Sequence, residues 1–333
     1  MARMRNELPD SRVHATDPAK ARTSRIGATY DSPAGISSSA VDGEMTATVQ
    51  VIGLAIAGLV TVAIVAGIWK GFTTAGTGKA ALVDGLMLTE VALAAVLILL
   101  GSIVEGFGYG LSLGTRWPYT RNIFVLMVRG DPEAAHRLVA TLVGLIALAL
   151  AVLAPGSATI SGLALIIATA LFGMGTLYVL AGRAPALVHG VHGLLAYAVF
   201  LVYLTGIAFP GLDFWSYLVA AAALHALLLA VFLGGVTTGQ RGFGQAIGAF
   251  YKPQRLAHWT VAAHVTAALL VVATLGWLMP AYPVAFYLAV TQIGVGFLLF
   301  HAVNLKPKNP GTIVAFHQCM VLLISVAIVL QWH

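Results

Sequence analysis

The chain has 333 residues, 59% of them hydrophobic and only 9% charged, with a mean hydropathy of +0.92 and a formal net charge of +6. A soluble domain carries about 25% charged residues, and a disordered chain combines low hydrophobicity with high charge, so both classes are excluded over most of the length. What is left is an all-α polytopic membrane protein. Its single cysteine, Cys319, cannot form an internal disulfide and says nothing about redox compartment.

Residues 1–47 hold six of the twelve acidic and six of the eighteen basic groups, mixed with Ser, Thr, Ala and Pro and without apolar periodicity. They read as a disordered tail, and Met45 offers an alternative start. No signal peptide is recognisable, because the charged stretch is too long and the apolar run behind it is long enough to span. Apolar runs then recur at 50–69, 82–104, 136–154, 160–181, 187–209, 216–236, 257–279, 282–303 and 311–331. Each is near the length that a crossing needs, and backbone groups in lipid must bond internally, so each is predicted to be a helix. Short connections such as Pro155–Ser157 and Pro280–Tyr282 make antiparallel hairpins. The longer links 105–135 and 237–256 fall on one side, whose loops carry nine Lys or Arg against Lys70 and Lys79 on the other. By the positive-inside rule the basic side faces the cytoplasm.

Ionisable groups inside membrane helices are costly and mark sites, so the ten histidines carry the functional reading. His136 and His258 open apolar helices, and His192 and His317 lie about six residues into two others, all four helices starting from the basic face. His136 and His258 are separated by 122 residues and His192 and His317 by 125, which predicts a duplicated four-helix unit at 82–209 and 216–331. A helix at 48–70 would stand outside the repeat. Two imidazoles from different helices of a bundle can ligate a haem iron axially, so the two pairs predict two haem sites. The competing reading is that these histidines hydrogen-bond neighbouring helices. Among the others, His189 lies on the face of His192 as a substitute ligand or haem contact, and His301 would line the second site. His264 and His225 read as packing or hydrogen-bonding residues, and His14 and His333 as solvated or interfacial.

Arg137, Arg241, Arg255, Lys306 and Lys308 cluster where the histidines sit, and could bind haem propionates as well as orient the chain. Glu133 shares a helix face with His136 three residues on. It is either a carboxylate for proton transfer at a haem edge or a first-turn acid favoured by the helix dipole. Arg255 takes its place in the second half, so the two sites differ.

Glu133-x-x-His136-Arg137, preceded by Gly101-Ser102-Ile103-Val104 and by Gly110-Leu111-Ser112-Leu113-Gly114-Thr115-Arg116-Trp117-Pro118, resembles the haem A synthase family of cytochrome-oxidase assembly factors over about residues 82–331. The resemblance implies that the first half oxidises the C8 methyl of haem O to the formyl of haem A while the second holds haem b. His136 and His192 would flank the substrate, Glu133 would be catalytic, and His258 and His317 would ligate haem b. It also implies a prokaryotic cell membrane, with haem O synthase and cytochrome oxidase as partners, membrane lipid around a chain that could self-associate, and no nucleic acid. The sequence departs from the family at Glu105 and Trp259, where arginines are usual, in lacking paired cysteines in the first long loop, in the extra helix at 50–69, and in the side its loop charges assign to the histidines. The same four histidines also suit a dihaem cytochrome b electron-transfer subunit. A haem-free transporter or structural subunit finds support only in Asp84 and Glu90 on one helix.

Overall fold

A computed structural model describes residues 73, 78–119, 122–242 and 244–332 of the chain. The tail, Met45, the helix expected at 48–70, His14 and His333 all lie outside the described residues. The described chain is helical, in the order α1 (Lys79–Gly106), α2 (Ile123–Val128), α3 (Pro132–Leu153), α4 (Ser157–Leu180), α5 (Leu187–Ala208), α6 (Phe214–Ala220), α7 (Ala222–Arg241), α8 (Leu256–Trp277), α9 (Pro283–Leu305) and α10 (Ile313–Leu330). All except α2 and α6 are long and apolar enough to cross a bilayer, giving eight spans among the described residues and an integral membrane protein.

Local chemistry sets the boundaries. Asp131 caps α3 by accepting the Ala134 amide at 2.9 Å, with Pro132 in the first helical position, where its missing N–H is not needed. The apolar run at 216–236 is not one helix. Asp213 caps the short α6 through the Ser216 amide at 2.8 Å, the chain turns at Ala221 (ψ 76°), and α7 then runs on to Arg241. That span is therefore shifted toward its C-terminus, because the charge at its end is paired inside the fold, as described below.

Packing closes two rings of four. In the first half α1 packs on α3, α3 on α4, α4 on α5 and α5 on α1. In the second, α7 packs on α8, α8 on α9, α9 on α10 and α10 on α7. The halves meet through α5 with α7 and α1 with α10. Exchanging α1, α3, α4 and α5 for α7, α8, α9 and α10 reproduces the neighbour pattern, so the fold has a pseudo-twofold axis between the halves. Small residues let the backbones meet there. A Cβ at Gly235 would lie 2.9 Å from the His189 carbonyl oxygen, and one at Gly106 would lie 2.5 Å from that of Gly311. The core fills this seam with fully buried Leu201, Val202, Leu224, Ile324 and Ile328.

Candidate functional site

Four imidazoles are presented in the same way, each fitted against a glycine on a neighbouring helix. A Cβ at Gly101 on α1 would lie 3.3 Å from the His136 ring, one at Gly173 on α4 3.1 Å from His192, one at Gly234 on α7 3.1 Å from His264, and one at Gly296 on α9 3.6 Å from His317. The pseudo-twofold maps Gly101 onto Gly234, His136 onto His264, Gly173 onto Gly296 and His192 onto His317. One turn before each glycine comes a polar group for the ring. His192 Nδ1 lies 3.0 Å from the Thr169 carbonyl and His264 Nδ1 2.9 Å from that of Ala230. A carbonyl only accepts, so in both rings Nδ1 carries the hydrogen and Nε2 keeps a free lone pair. Metal-bound histidines are fixed in this way by their outer partners.

The other two rings vary the theme. The Leu97 carbonyl faces His136 without closing a hydrogen bond of good geometry, and His136 Nδ1 is buried without a partner among the described residues. The Gln292 amide nitrogen lies 3.0 Å from both His317 Nδ1 and the His317 carbonyl, while Gln292 Oε1 is buried and unpartnered. The His317 carbonyl can only accept, so the amide keeps its nitrogen toward the ring and His317 Nδ1 accepts from it, unlike the Nδ1 of His192 and His264.

The rings form two pairs. His264 and His317 have centroids 6.3 Å apart and planes 56° apart. His136 and His192 lie within electrostatic range of each other. A metal bonded to two imidazoles at about 2 Å per bond, with about 1 Å from each nitrogen to its ring centre, separates the centroids by about 6 Å. Among the described residues no group of three or more His, Cys, Asp or Glu could hold a metal ion. Two imidazoles at this spacing would need a metal whose other ligands come from elsewhere, such as the macrocycle of a haem.

His258 is not part of this arrangement. Its Nδ1 accepts the Gln254 amide at 3.0 Å and its Nε2 donates to the Ile247 carbonyl at 2.8 Å, so both nitrogens hold the loop that leads into α8. His264 does bridge helices as expected, from α8 to the Ala230 carbonyl of α7, and it is also the ring that pairs with His317. The sequence did carry a signal for it: each paired histidine has a glycine at matching depth on a neighbouring helix, and only His264 has Gly234.

The remaining predicted residues divide. Glu133 is 4% exposed and has no free oxygen. Its Oε1 receives Arg137 Nη2 at 2.5 Å, and its Oε2 receives the Ser112 hydroxyl at 2.9 Å and the Leu113 amide at 3.0 Å. Arg137 also donates to the carbonyls of Arg116 and Pro118. The pair thus pins the loop Gly110–Pro118 onto α3, and Arg137 is turned to that loop rather than toward an outside carboxylate. Arg241 is buried, donating to Glu105 Oε1 at 2.7 Å and to the Pro307 carbonyl at 2.7 Å. Glu105 accordingly faces an arginine from the other half. His189 Nδ1 is buried and unpartnered among the described residues, in electrostatic range of His192 and Arg241. Arg255 donates to the Ala246 and Ile247 carbonyls and lines an open depression of about 350 Å³ with Lys252 and His258. His301 is exposed against Phe297 and Phe300, and Lys306 is exposed, so neither is brought to the histidine pairs.

Compared with family models, curated proteins and solved structures, the chain matches none.

Proposed function

We propose that this protein is a dihaem membrane oxidoreductase of the haem A synthase kind, its first half acting on haem O and its second holding haem b. The observation that supports this best is the fourfold arrangement of glycine-seated imidazoles on diagonal helices of each ring of four, with the Nδ1 of His192 and of His264 held by a carbonyl and Nε2 left free. His136 and His192 would flank the substrate haem, and His264 with His317 would ligate haem b. When bound, haem b supplies reversible one-electron transfer. The chain's own contribution is position: glycine notches set the imidazoles against their helices, outer carbonyls set the tautomers of His192 and His264, and the apolar helices exclude water. Glu133 and Arg137 fix the loop over the first site, and Glu133 is the acid nearest in sequence to His136. Haem O synthase and cytochrome oxidase would be the partners, in a prokaryotic cell membrane.

A second reading, a dihaem electron-transfer subunit, is favoured by one observation: every oxygen of Glu133 is already bonded within the protein. Expression with a source of haem O, followed by extraction and mass analysis of the bound haems, separates the two. Haem A, or a hydroxylated intermediate, is expected from the oxidase, and Glu133→Gln should abolish it while leaving the haem spectrum. Finding only haem O on folded, haem-loaded protein would overturn the oxidase reading in favour of electron transfer.

A further inference from the structure

Three turns beneath the histidines the two halves differ. Eleven residues advance a helix by about 16 Å and return within about 20° of the same face. In the first half this step leads from Gly101, His136, Gly173 and His192 to Glu90, Ala147, Gly162 and Tyr203, all buried. In the second it leads from Gly234, His264, Gly296 and His317 to Ala223, Leu275, Ala285 and Ile328, equally buried but wholly apolar. The packing confirms the register. A Cβ at Gly206 would lie 2.8 Å from Met87 Cε, which sets Glu90 opposite Tyr203, and a Cβ at Gly162 would overlap the Tyr203 phenol.

Both Glu90 oxygens and the Tyr203 hydroxyl are buried without a hydrogen-bond partner among the described residues. The two side chains nevertheless lie in electrostatic range of each other. Of the helices packed on α1, α3 offers Ala147 at this depth, α5 offers Tyr203, and α10 offers apolar residues with a Ser325 hydroxyl already bonded to Val321. No described Lys or Arg shares the layer, and the histidine at this depth, His225 on α7, is exposed and bonded to the Leu218 carbonyl. An unpaired carboxylate in the bilayer interior is among the costliest groups a protein can hold, so the acid is kept as a neutral group, for a use. Two carboxyl oxygens and a phenol that do not reach one another are together the partners that one buried water requires.

The phenol is also the way out. Gly162 is five residues into α4, about 8 Å from that helix's start, and follows Ser161. Ser161 accepts Trp215 Nε1 at 3.0 Å, and Ser157 bonds Asp213, so a polar rim lies just beyond the notch. That rim is on the face opposite the histidines.

We propose that Glu90 is a proton-binding site in the membrane interior, exchanging its proton through a bound water and the Tyr203 hydroxyl with solvent on the face opposite the histidines. In the outward step the Glu90 O–H bond breaks and its proton passes to the water. A water proton passes to the Tyr203 oxygen, and the phenol's own proton passes to water at the Ser161 rim. One proton leaves, a carboxylate remains, and the reverse sequence restores the acid, with no electrons moved. This site does not depend on which haem, or whether any haem, occupies the histidine pairs.

Infrared difference spectroscopy of the full chain in nanodiscs, on transfer from H2O to D2O at neutral pH, tests this. A carbonyl band of a protonated carboxyl should be present, shift with deuterium, and be missing from Glu90→Gln. In Tyr203→Phe the same band should persist but exchange at least about tenfold more slowly. Labelling of Glu90 in the unaltered chain by a membrane-soluble carbodiimide, which attacks protonated carboxyls, should be seen by peptide mass spectrometry, and serves if E90Q does not fold. Absence of both band and adduct, a band that never exchanges, or equal exchange in Y203F would each overturn the proposal.

Discussion

A histidine can coordinate a metal only with the nitrogen its surroundings leave free, and this separates His264 from His258. His264 has one nitrogen fixed on the Ala230 carbonyl and the other open, whereas His258 has both engaged by its own loop. If the pairs hold haems as proposed, His264→Ala should remove about half of the low-spin haem absorbance, leaving the first pair intact, while His258→Ala should keep both haems and lose only stability, by about 1–3 kcal/mol for the buried loop groups left unpaired. Absorption spectra of the two purified variants, with haem counted per chain, decide it; equal loss from both would return His258 to the site. The sequence made three of the four paired histidines legible, His136, His192 and His317, because an imidazole in an apolar helix is conspicuous. It could not tell 258 from 264, since that depends on the loop 246–254 folding back over the start of α8, which apolar periodicity does not encode. Glu133 is the complementary case: its spacing from His136 was plain, but the loop that saturates it comes from about twenty residues upstream.

At the scale of the helix, the spans were readable because length and continuous apolarity are all that a bilayer asks of a crossing. The break at Ala221 was not, because Asp213 caps a turn whose residues are as apolar as those of the span that follows. The glycines show how one helix fixes a side chain on the next. At Gly173 a Cβ would already press on the His192 ring at 3.1 Å, so Gly173→Leu should displace that ring and mimic His192→Ala, with one haem lost and the other retained. Gly144, with nothing near its Cβ position, gives the control, and Gly144→Leu should keep both haems. The cap of α6 yields a pH dependence. The Ser157 hydroxyl first, and then the Ser216 amide, hold Asp213 below its ordinary value of 3.8. A carboxyl lowered on folding stabilises the fold above 3.8 and loses that contribution as pH falls through the lowered value. Thermal unfolding in detergent should therefore show wild type losing its margin over Asp213→Asn on acidification below 3.8, the effect being small because the group is exposed.

At the scale of the molecule, the pseudo-twofold supplies two equivalent frames and a few residues make them unequal. Tyr197 on α5 donates to the Gln318 side chain at 2.7 Å, joining the helix of His192 to that of His317. Nearer the basic face, Arg241 from one half meets Glu105 from the other, at 6% and 14% side-chain exposure. In an ion pair removed from water, loss of one partner leaves the other charge uncompensated, whereas replacing both by neutral groups of similar size removes the attraction and the desolvation cost together. Arg241→Met should thus destabilise the chain by about 3–5 kcal/mol, and the double variant Glu105→Gln, Arg241→Met should recover most of that loss. Because the pair joins α1 to α7 across the seam, the single variant should also loosen the contact between halves before either ring of four helices opens. Hydrogen exchange at the C-terminal turns of α1 and α7 should rise first, ahead of exchange around Leu150 and Leu275 inside each half. If all four regions exchange together, the two halves form one cooperative unit and the duplication survives only as geometry. If the seam opens alone, each ring of four keeps its own stability, as a fold built from a repeated unit would require.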